Sequence, residues 1–161
     1  MLKLFLLINL VLALFVSPVY GSEVVIVAGT EIPLVSSSKI DTGSMKVGDD
    51  ANFVLASDVA GVSATILKGS VLYGRVVEVE KFDAAKGGSR IVLMFDFLQV
   101  GEEFYTISAV VLSTGANVKG LRMEKAKDFE CGTRLSMKGG EIIIGEGTSF
   151  TIKVVGDVTN E

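Results

Sequence analysis

The chain has 161 residues, 49% of them hydrophobic, and a formal net charge of −4 at pH 7. It contains no histidine, so it lacks the commonest general base and metal ligand, and Ser-His-Asp and Cys-His catalysis are excluded. The acidic balance disfavours nucleic acid and gives no net attraction to anionic lipid head groups. We therefore predict no catalytic, cofactor-binding or metal-binding residue and no cofactor.

The first 21 residues have the three parts of a secretory signal peptide. Lys3 supplies the positive charge at the start, and an apolar run covers 4–16. Ser17-Pro18 ends this run, and residues 19–21 are small or tolerated at the usual cleavage positions. The apolar run is too short to span a bilayer, which needs about 20 apolar residues. We predict a signal peptide at 1–21 and a single domain at 22–161, exported to the periplasm or cell envelope, with membrane contact only through the leader unless it is retained.

Three segments share the pattern Ile-x-x-Gly-[Ser/Thr]-x-apolar: Ile26–Ile32, Ile66–Leu72 and Ile144–Phe150. The apolar ends are typical of strands, and the central glycine favours a turn or bulge because it accepts positive φ at little steric cost. A phosphate-binding loop is the alternative, but Lys68-Gly69-Ser70 has the wrong order and is followed by a strand pattern. We therefore predict that Gly29, Gly69 and Gly147 lie at structural turns.

The predicted elements are mainly strands, at 24–27, 30–35, 52–56, 64–67, 71–81, 90–98, 104–112, 141–144 and 149–155. Pro33 indicates an edge strand or a bulge because proline cannot donate to a ladder. The strand 90–98 is apolar on both faces, with Phe97 predicted on the same side as Phe95, so we expect it to be central and covered. A second internal similarity links residues 53–59 with 150–158, since each segment places Asp-Val beyond an apolar strand.

The segment 115–140 is richer in charge and has weak periodicity. The pair Glu124–Lys127 at i,i+3 favours a helical turn or two within 121–130. The overall pattern of short strands and turn signals predicts an all-β fold. We predict a single small antiparallel β-barrel or sandwich with a short irregular or helical segment near 116–130.

A few polar residues are candidates for metal ligands, ion pairs or a reactive thiol. Asp41, Asp49, Asp50 and Asp58 do not have the spacing of a calcium loop and are interpreted as turn carboxylates. Asp96 lies in an apolar strand, where we expect a salt bridge to Arg75 or Arg90. Cys131 is the single cysteine, to be read either as a small buried residue or as a free or intermolecular thiol.

The order of these segments resembles TrbI-like domains, the β-barrel components of conjugation and type IV secretion core complexes. The resemblance is carried by 27–33, by 59–74 with Ile-Leu-Lys-Gly-Ser-Val-Leu-Tyr-Gly, by 88–98, and by 146–152. It implies a barrel in an envelope setting, although such proteins usually carry an inner-membrane helix and a proline-rich linker before it. The segment 115–140 lies where the family inserts a membrane-crossing hairpin but is too charged for lipid. No site residue and no channel role carries over.

These observations predict an exported, non-enzymatic envelope protein that acts as a structural or protein-binding β-module, with other envelope proteins or a second copy as partner. The alternative is a soluble periplasmic module that binds a small ligand or glycan in the barrel mouth. A small outer-membrane barrel is a third alternative, but the aromatic residues are sparse for the girdles of such barrels. Glycosidase activity is also left as an alternative, because carboxylates alone can perform that chemistry.

Overall fold

The computed structural model describes residues 24–159, so the predicted signal peptide lies outside the described residues. Fifteen strands are present in this range: β1 (Val24–Ile26), β2 (Glu31–Ser36), β3 (Ile40–Asp41), β4 (Phe53–Leu55), β5 (Val59–Ala60), β6 (Thr65–Ile66), β7 (Val71–Asp83), β8 (Gly88–Val100), β9 (Glu103–Thr106), β10 (Ala109–Thr114), β11 (Arg122–Lys125), β12 (Thr133–Lys138), β13 (Ile143–Ile144), β14 (Ser149–Val154) and β15 (Val158–Thr159). Every strand pairing is antiparallel. The predicted all-β class is confirmed. No helix in residues 24–159 is long and apolar enough to cross a membrane.

One curled sheet of eleven strands forms a small barrel-like shell, in the order β1-β15-β9-β8-β7-β4-β2-β14-β10, with β12 and β11 continuing from β8. Alternate residues of each strand point inward, where Phe53 contacts Phe95 and Phe150 edge to face at ring-centroid distances of 5.6 and 5.1 Å. Leu34, Leu72 and other inward side chains are fully buried around this aromatic centre. The interior of the shell is therefore filled with apolar side chains.

The three predicted glycine turns are confirmed. Gly29, Gly69 and Gly147 have φ of 91°, 88° and 77°, where a side chain would be strained. Each glycine N–H donates to the carbonyl of a residue at the end of another strand: Val154 for Gly29 (2.7 Å), Leu55 for Gly69 (3.0 Å) and Ser36 for Gly147 (2.8 Å). The same three strand residues donate back to the Thr30, Ser70 and Thr148 carbonyls at 2.9 Å. One local motif thus extends both ends of the β2–β14 ladder and one end of the β4–β7 ladder.

A common spacing accompanies the three turns. The short strands β15, β5 and β3 each begin four residues beyond Val154, Leu55 and Ser36, and each pairs with the strand that precedes the corresponding turn. Asp157 and Asp58, three residues beyond the first two, accept hydrogen bonds from Ala28 N–H (2.8 Å) and Lys68 N–H (2.7 Å) beside the turns. The Asp-Val similarity in the sequence therefore has a structural origin.

The third turn replaces the carboxylate with hydroxyl groups. Ser36 Oγ donates to the Gly145 carbonyl (3.0 Å) and accepts from Thr148 N–H (3.1 Å). The Thr148 hydroxyl also donates to the Gly145 carbonyl, at 2.7 Å. The local sequences of the three motifs therefore differ while their main-chain pairing is the same.

Two local predictions are wrong. Residues 121–130 contain no helix: β11 lies at 122–125 and pairs with β12, followed by turns. Pro33 lies in β2, which is an interior strand between β14 and β4. The proline is tolerated because its carbonyl accepts from Ala56 N–H (2.9 Å) at the end of β4, and the proline nitrogen faces the same side, where that ladder ends.

The 13-residue strands β7 and β8 form the longest hairpin and contain three register shifts. The shift between Tyr73 and Gly74 leaves Asp96 as the extra residue of β8, and the shift between Val76 and Glu78 leaves Val77 as the extra residue of β7. β8 pairs with β12 on one side of the Asp96 bulge and with β9 on the other. The strand is central, as predicted, but the bulge turns Phe97 outward.

Candidate functional site: an apolar outer face

The outer surface of the sheet carries an apolar band that crosses five strands. The pairing register aligns Val35 with Val54, Val54 with Val71, Val71 with Gln99, and Gln99 with Phe104. Tyr73 and Phe97 face each other in the adjacent row. We call this set the outer apolar face; its members are Val35, Val54, Val71, Tyr73, Phe97 and Phe104.

Aromatic side chains form the exposed end of this face. Phe97 and Phe104 are 47% and 56% exposed, although both lie in strands. The residue that follows each of them, Leu98 or Tyr105, is buried. Tyr73 contacts Phe104 at a ring-centroid distance of 6.0 Å, and its hydroxyl donates to Gln99 Oε1 at 2.8 Å. The tyrosine is therefore held by side chains of β8 and β9, and its ring joins that of Phe104 on the same face as Phe97.

The Asp96 bulge positions this face. Without the extra residue, strict alternation would place Phe97 inside with Phe95 and Leu98 outside. Phe95 and Leu98 are instead both buried, and Phe97 is exposed. The Asp96 carboxylate pairs with Arg75 Nε at 3.3 Å on the outer surface, which confirms the predicted salt bridge and selects Arg75 over Arg90.

Beyond the bulge the outer surface changes from apolar to charged. Arg90 contacts Glu78 at 2.8 Å through Nε and Glu80 at 2.6 Å through a terminal nitrogen. Arg134, whose side chain is only 13% exposed, has Glu78, Glu124 and Asp128 within 3.5–4.0 Å. We call this the ion-pair lattice. It joins β7, β8, β12 and β11 and marks the limit of the outer apolar face.

The carboxylates considered as calcium ligands serve local turns. Asp41 accepts from Gly43 N–H (2.9 Å), Asp49 from Lys46 N–H (2.8 Å) and Asp58 from Lys68 N–H (2.7 Å). The hydrogen bond from Lys39 Nζ, at 2.5 Å, is the main cause that lowers the pKa of Asp41 below its usual value. Within residues 24–159 no group of three or more Asp, Glu, His or Cys side chains is placed to hold a metal ion.

Asp50 and Cys131 are the two remaining polar candidates. Asp50 forms an isolated backbone bridge with Arg75. Cys131 is half-buried and is a free thiol in the described part of the chain, so it does not match the fully buried reading, and an intermolecular bridge stays a prediction.

The filled interior counts against the ligand-binding alternative. A site in the barrel mouth needs an open cavity with converging polar groups. Phe53, Ile152 and Leu98 instead occupy the centre and are 0% exposed. None of these three side chains lines the depressions around Lys138, Phe129 and Cys131.

No protein-family model matches the chain, and no curated protein matches it. Among solved structures, the chain is similar to ComB10 of the Com type IV secretion system of Helicobacter pylori. The match has 15% sequence identity and a TM-score of 0.48, and it covers 81% of this chain and 87% of that chain. At this identity and TM-score the similarity is one of fold alone.

Sequence reasoning did not find the outer apolar face. Val35, Val54 and Val71 read as ordinary strand residues, and their alignment depends on pairings between distant segments. The bulge that exposes Phe97 had one signal, an aspartate inside an apolar strand. That aspartate was interpreted only as half of a salt bridge.

Proposed function

We propose that the protein is an exported, non-enzymatic structural β-module that acts by binding another envelope protein through the outer apolar face. The observation that carries the proposal is the exposure of Phe97 and Phe104 beside the half-buried Tyr73 in an ordered sheet. Exposed contiguous apolar surface marks interaction sites, and aromatic side chains dominate their binding energy. A bulge that turns a phenylalanine outward costs core burial, which supports a role for that side chain outside the fold.

The dimensions of the face favour a single segment of the partner. Five strands at a spacing of about 4.8 Å make a band roughly 19 Å long. A stable globular interface buries about 800 Å² on each side, more than six partly covered side chains provide. A helix of about 13 residues at 1.5 Å per residue matches the length of the band. The partner element is therefore an amphipathic segment that lies across the strands with its apolar side on the rings.

Pairing at a strand edge is the competing binding mode, and two edges of this sheet, those of β7 and β10, are blunted. Residues 77–83 of β7 pair only with β8, but two register shifts distort this stretch, and the Phe82 N–H donates to Glu141 Oε1 at 2.9 Å. The outer edge of β10 gives its Val111 N–H to the Thr133 hydroxyl at 2.8 Å. Bulges and local caps of this kind prevent edge pairing.

Export and a secretion-type assembly are further parts of the proposal. Export is supported by the three-part pattern of residues 1–21. Membership of a conjugation or type IV secretion assembly is supported by the resemblance of the segments between 27 and 152 to TrbI-like domains. Export and membership of a secretion assembly are independent of the outer apolar face, because a protein-binding module requires neither of them.

In-cell photo-crosslinking tests the binding role. A photoreactive phenylalanine analogue is placed at Phe97 or Phe104 of the full chain in the native host, with position 67 as the matched control because Leu67 is 63% exposed but lies off the face. We expect a discrete adduct with a second envelope protein at positions 97 and 104 and none at 67. Replacing the other phenylalanine with serine should remove the adduct while changing the folding free energy by only about 0.5 kcal/mol, as for most surface substitutions.

Three outcomes would contradict the proposal. Equal adducts at position 67 would show non-specific capture. An adduct that contains only this chain would show that the partner is a second copy of the same chain and not another envelope protein. The absence of any adduct at positions 97 and 104, with the chain folded and present in the envelope fraction, would remove the outer apolar face as a binding surface.

A further inference from the structure

A depression of about 240 Å³ lies on the outer surface at the tip of the β7–β8 hairpin, where Glu80 and Arg90 of the ion-pair lattice line one part of it. Its rim carries Lys86, Arg122 and Lys138, and Gly87, Gly88 and Ser136 also line it. The register places Arg122 opposite Ser136 and Lys138 opposite Gly88, so the two long side chains rise from neighbouring rows of one face. Opposed positions in a sheet have Cβ atoms about 5 Å apart, within reach of long side chains.

The three rim cations have no acidic partner. Lys86, Arg122 and Lys138 make no ion pair with any residue in 24–159, and all three are exposed. The one carboxylate at the rim is Glu80, which is already paired with Arg90 at 2.6 Å. A local excess of three positive charges therefore sits on a chain whose net charge is −4.

The rim is also held in shape. The Gly139 N–H donates to the Gly87 carbonyl at 3.0 Å, and the Ser89 hydroxyl donates to the Gly140 carbonyl at 2.7 Å. These bonds fix the turn that carries Lys86 against the end of β12 that carries Lys138. Nothing lies within 4 Å of the position that a Cβ on Gly87 would take, so a ligand can approach the main chain at that residue.

We propose that this depression binds a phosphate group. A phosphate anion matches three unpaired cations around one depression, and the guanidinium of Arg122 can donate two parallel hydrogen bonds to two of its oxygens. The ligand is either a free phosphate compound or the phosphodiester of a lipid headgroup, since both present anionic non-bridging oxygens. The three unpaired cations lie at the far end of the ion-pair lattice from the outer apolar face, and the site does not depend on the function proposed for that face.

The test is an NMR titration of the folded domain with inorganic phosphate against sodium chloride of equal ionic strength. We expect saturable shifts of the Gly87, Gly88 and Gly139 amides. The variant K86Q/R122Q/K138Q should bind at least about tenfold more weakly, because charge-assisted bonds supply most of the affinity. The matched control is K68Q/K119Q/K153Q, which removes the same charge from exposed lysines outside the depression and should bind as the wild type does.

A second arm separates the two sources of the phosphate. Co-sedimentation with phosphatidylglycerol vesicles, but not with phosphatidylcholine vesicles, that is lost in K86Q/R122Q/K138Q and kept in the control identifies a headgroup. Amide shifts without co-sedimentation identify a free phosphate compound. The proposal is overturned if phosphate shifts none of the three amides beyond the salt control, or if both triple variants weaken binding equally.

Discussion

Single glycines determine how three ladder ends of this sheet turn. At Gly29, Gly69 and Gly147 the positive φ accompanies an N–H bond to a carbonyl of the paired strand, and nothing lies within 4 Å of the position a Cβ would take. The requirement for glycine is therefore conformational rather than steric. This is why three segments with different neighbours share a glycine at the same place in the pattern.

Substitution of Gly69 by alanine tests the conformational requirement. The left-handed conformation costs a residue with a Cβ about 1–2 kcal/mol, so G69A should lower the free energy of unfolding by that amount. The matched control is G145A, which also has open space around its Cβ but no positive φ. Alanine there should leave stability unchanged or raise it by about 0.4–1 kcal/mol through the unfolded state. Urea denaturation measures both, and an equal loss in the two variants would contradict the argument.

At the scale of strands, the sequence predicted positions better than it predicted faces. The three turns and most of the strand patterns depend on local residues and appear in the structure, whereas β11 and β12 form within 115–140, where no strand is predicted. The predicted helix at 121–130 failed because an i,i+3 ion pair contributes only about 0.2–0.5 kcal/mol. The pairing of Met123 with Leu135 instead places apolar side chains of β11 and β12 against the core.

The side of the sheet on which Phe97 lies and the interior location of Pro33 also could not be predicted from the neighbouring residues in the sequence. A bulge shifts the phase of alternation by one residue, and its position depends on which segment pairs across the strand. The predicted strand 104–112 is likewise divided into β9 and β10, which join different neighbours, β8 and β14. The outer apolar face follows from these pairings, so it could be read only from the structure.

The buried hydroxyl of Thr133 joins two strands that share no ladder. It accepts the Val111 N–H of β10 at 2.8 Å while β12 pairs with β8. T133V keeps the shape but leaves a buried N–H without a partner, so we expect a loss of about 1–3 kcal/mol. T133S keeps the hydroxyl and loses one methyl, at about 0.8 kcal/mol.

Amide hydrogen exchange distinguishes the two variants of Thr133. The Val111 amide should exchange faster in T133V and stay protected in T133S. Unchanged protection in T133V would show that the hydroxyl does not hold this edge of β10.

The whole molecule is tied together by contacts between distant parts of the chain. β1 pairs with β15, β2 pairs with β14, and the first and third glycine turns bond to β14 and β2 in a reciprocal arrangement. The β7–β8 hairpin projects beyond this junction, but Ile91 and Leu135 near its tip are fully buried in the same core. No cut within 24–159 separates two sets of strands that each have their own core.

This connectivity predicts one cooperative unfolding transition for the domain. The heat-capacity change of unfolding should be about 12–15 cal/mol/K per residue, and the calorimetric and van't Hoff enthalpies should agree. Probes at the two ends of the shell provide the sharper test, because the amides of Ile152 in β14 and Leu135 in β12 should lose protection with the same free energy. An I152A substitution, expected to cost about 2–5 kcal/mol in a filled core, should then lower both equally. If Leu135 kept its protection while Ile152 lost it, the β7–β8 and β11–β12 region would be a separate unit, and the prediction of a single domain at 22–161 would be wrong.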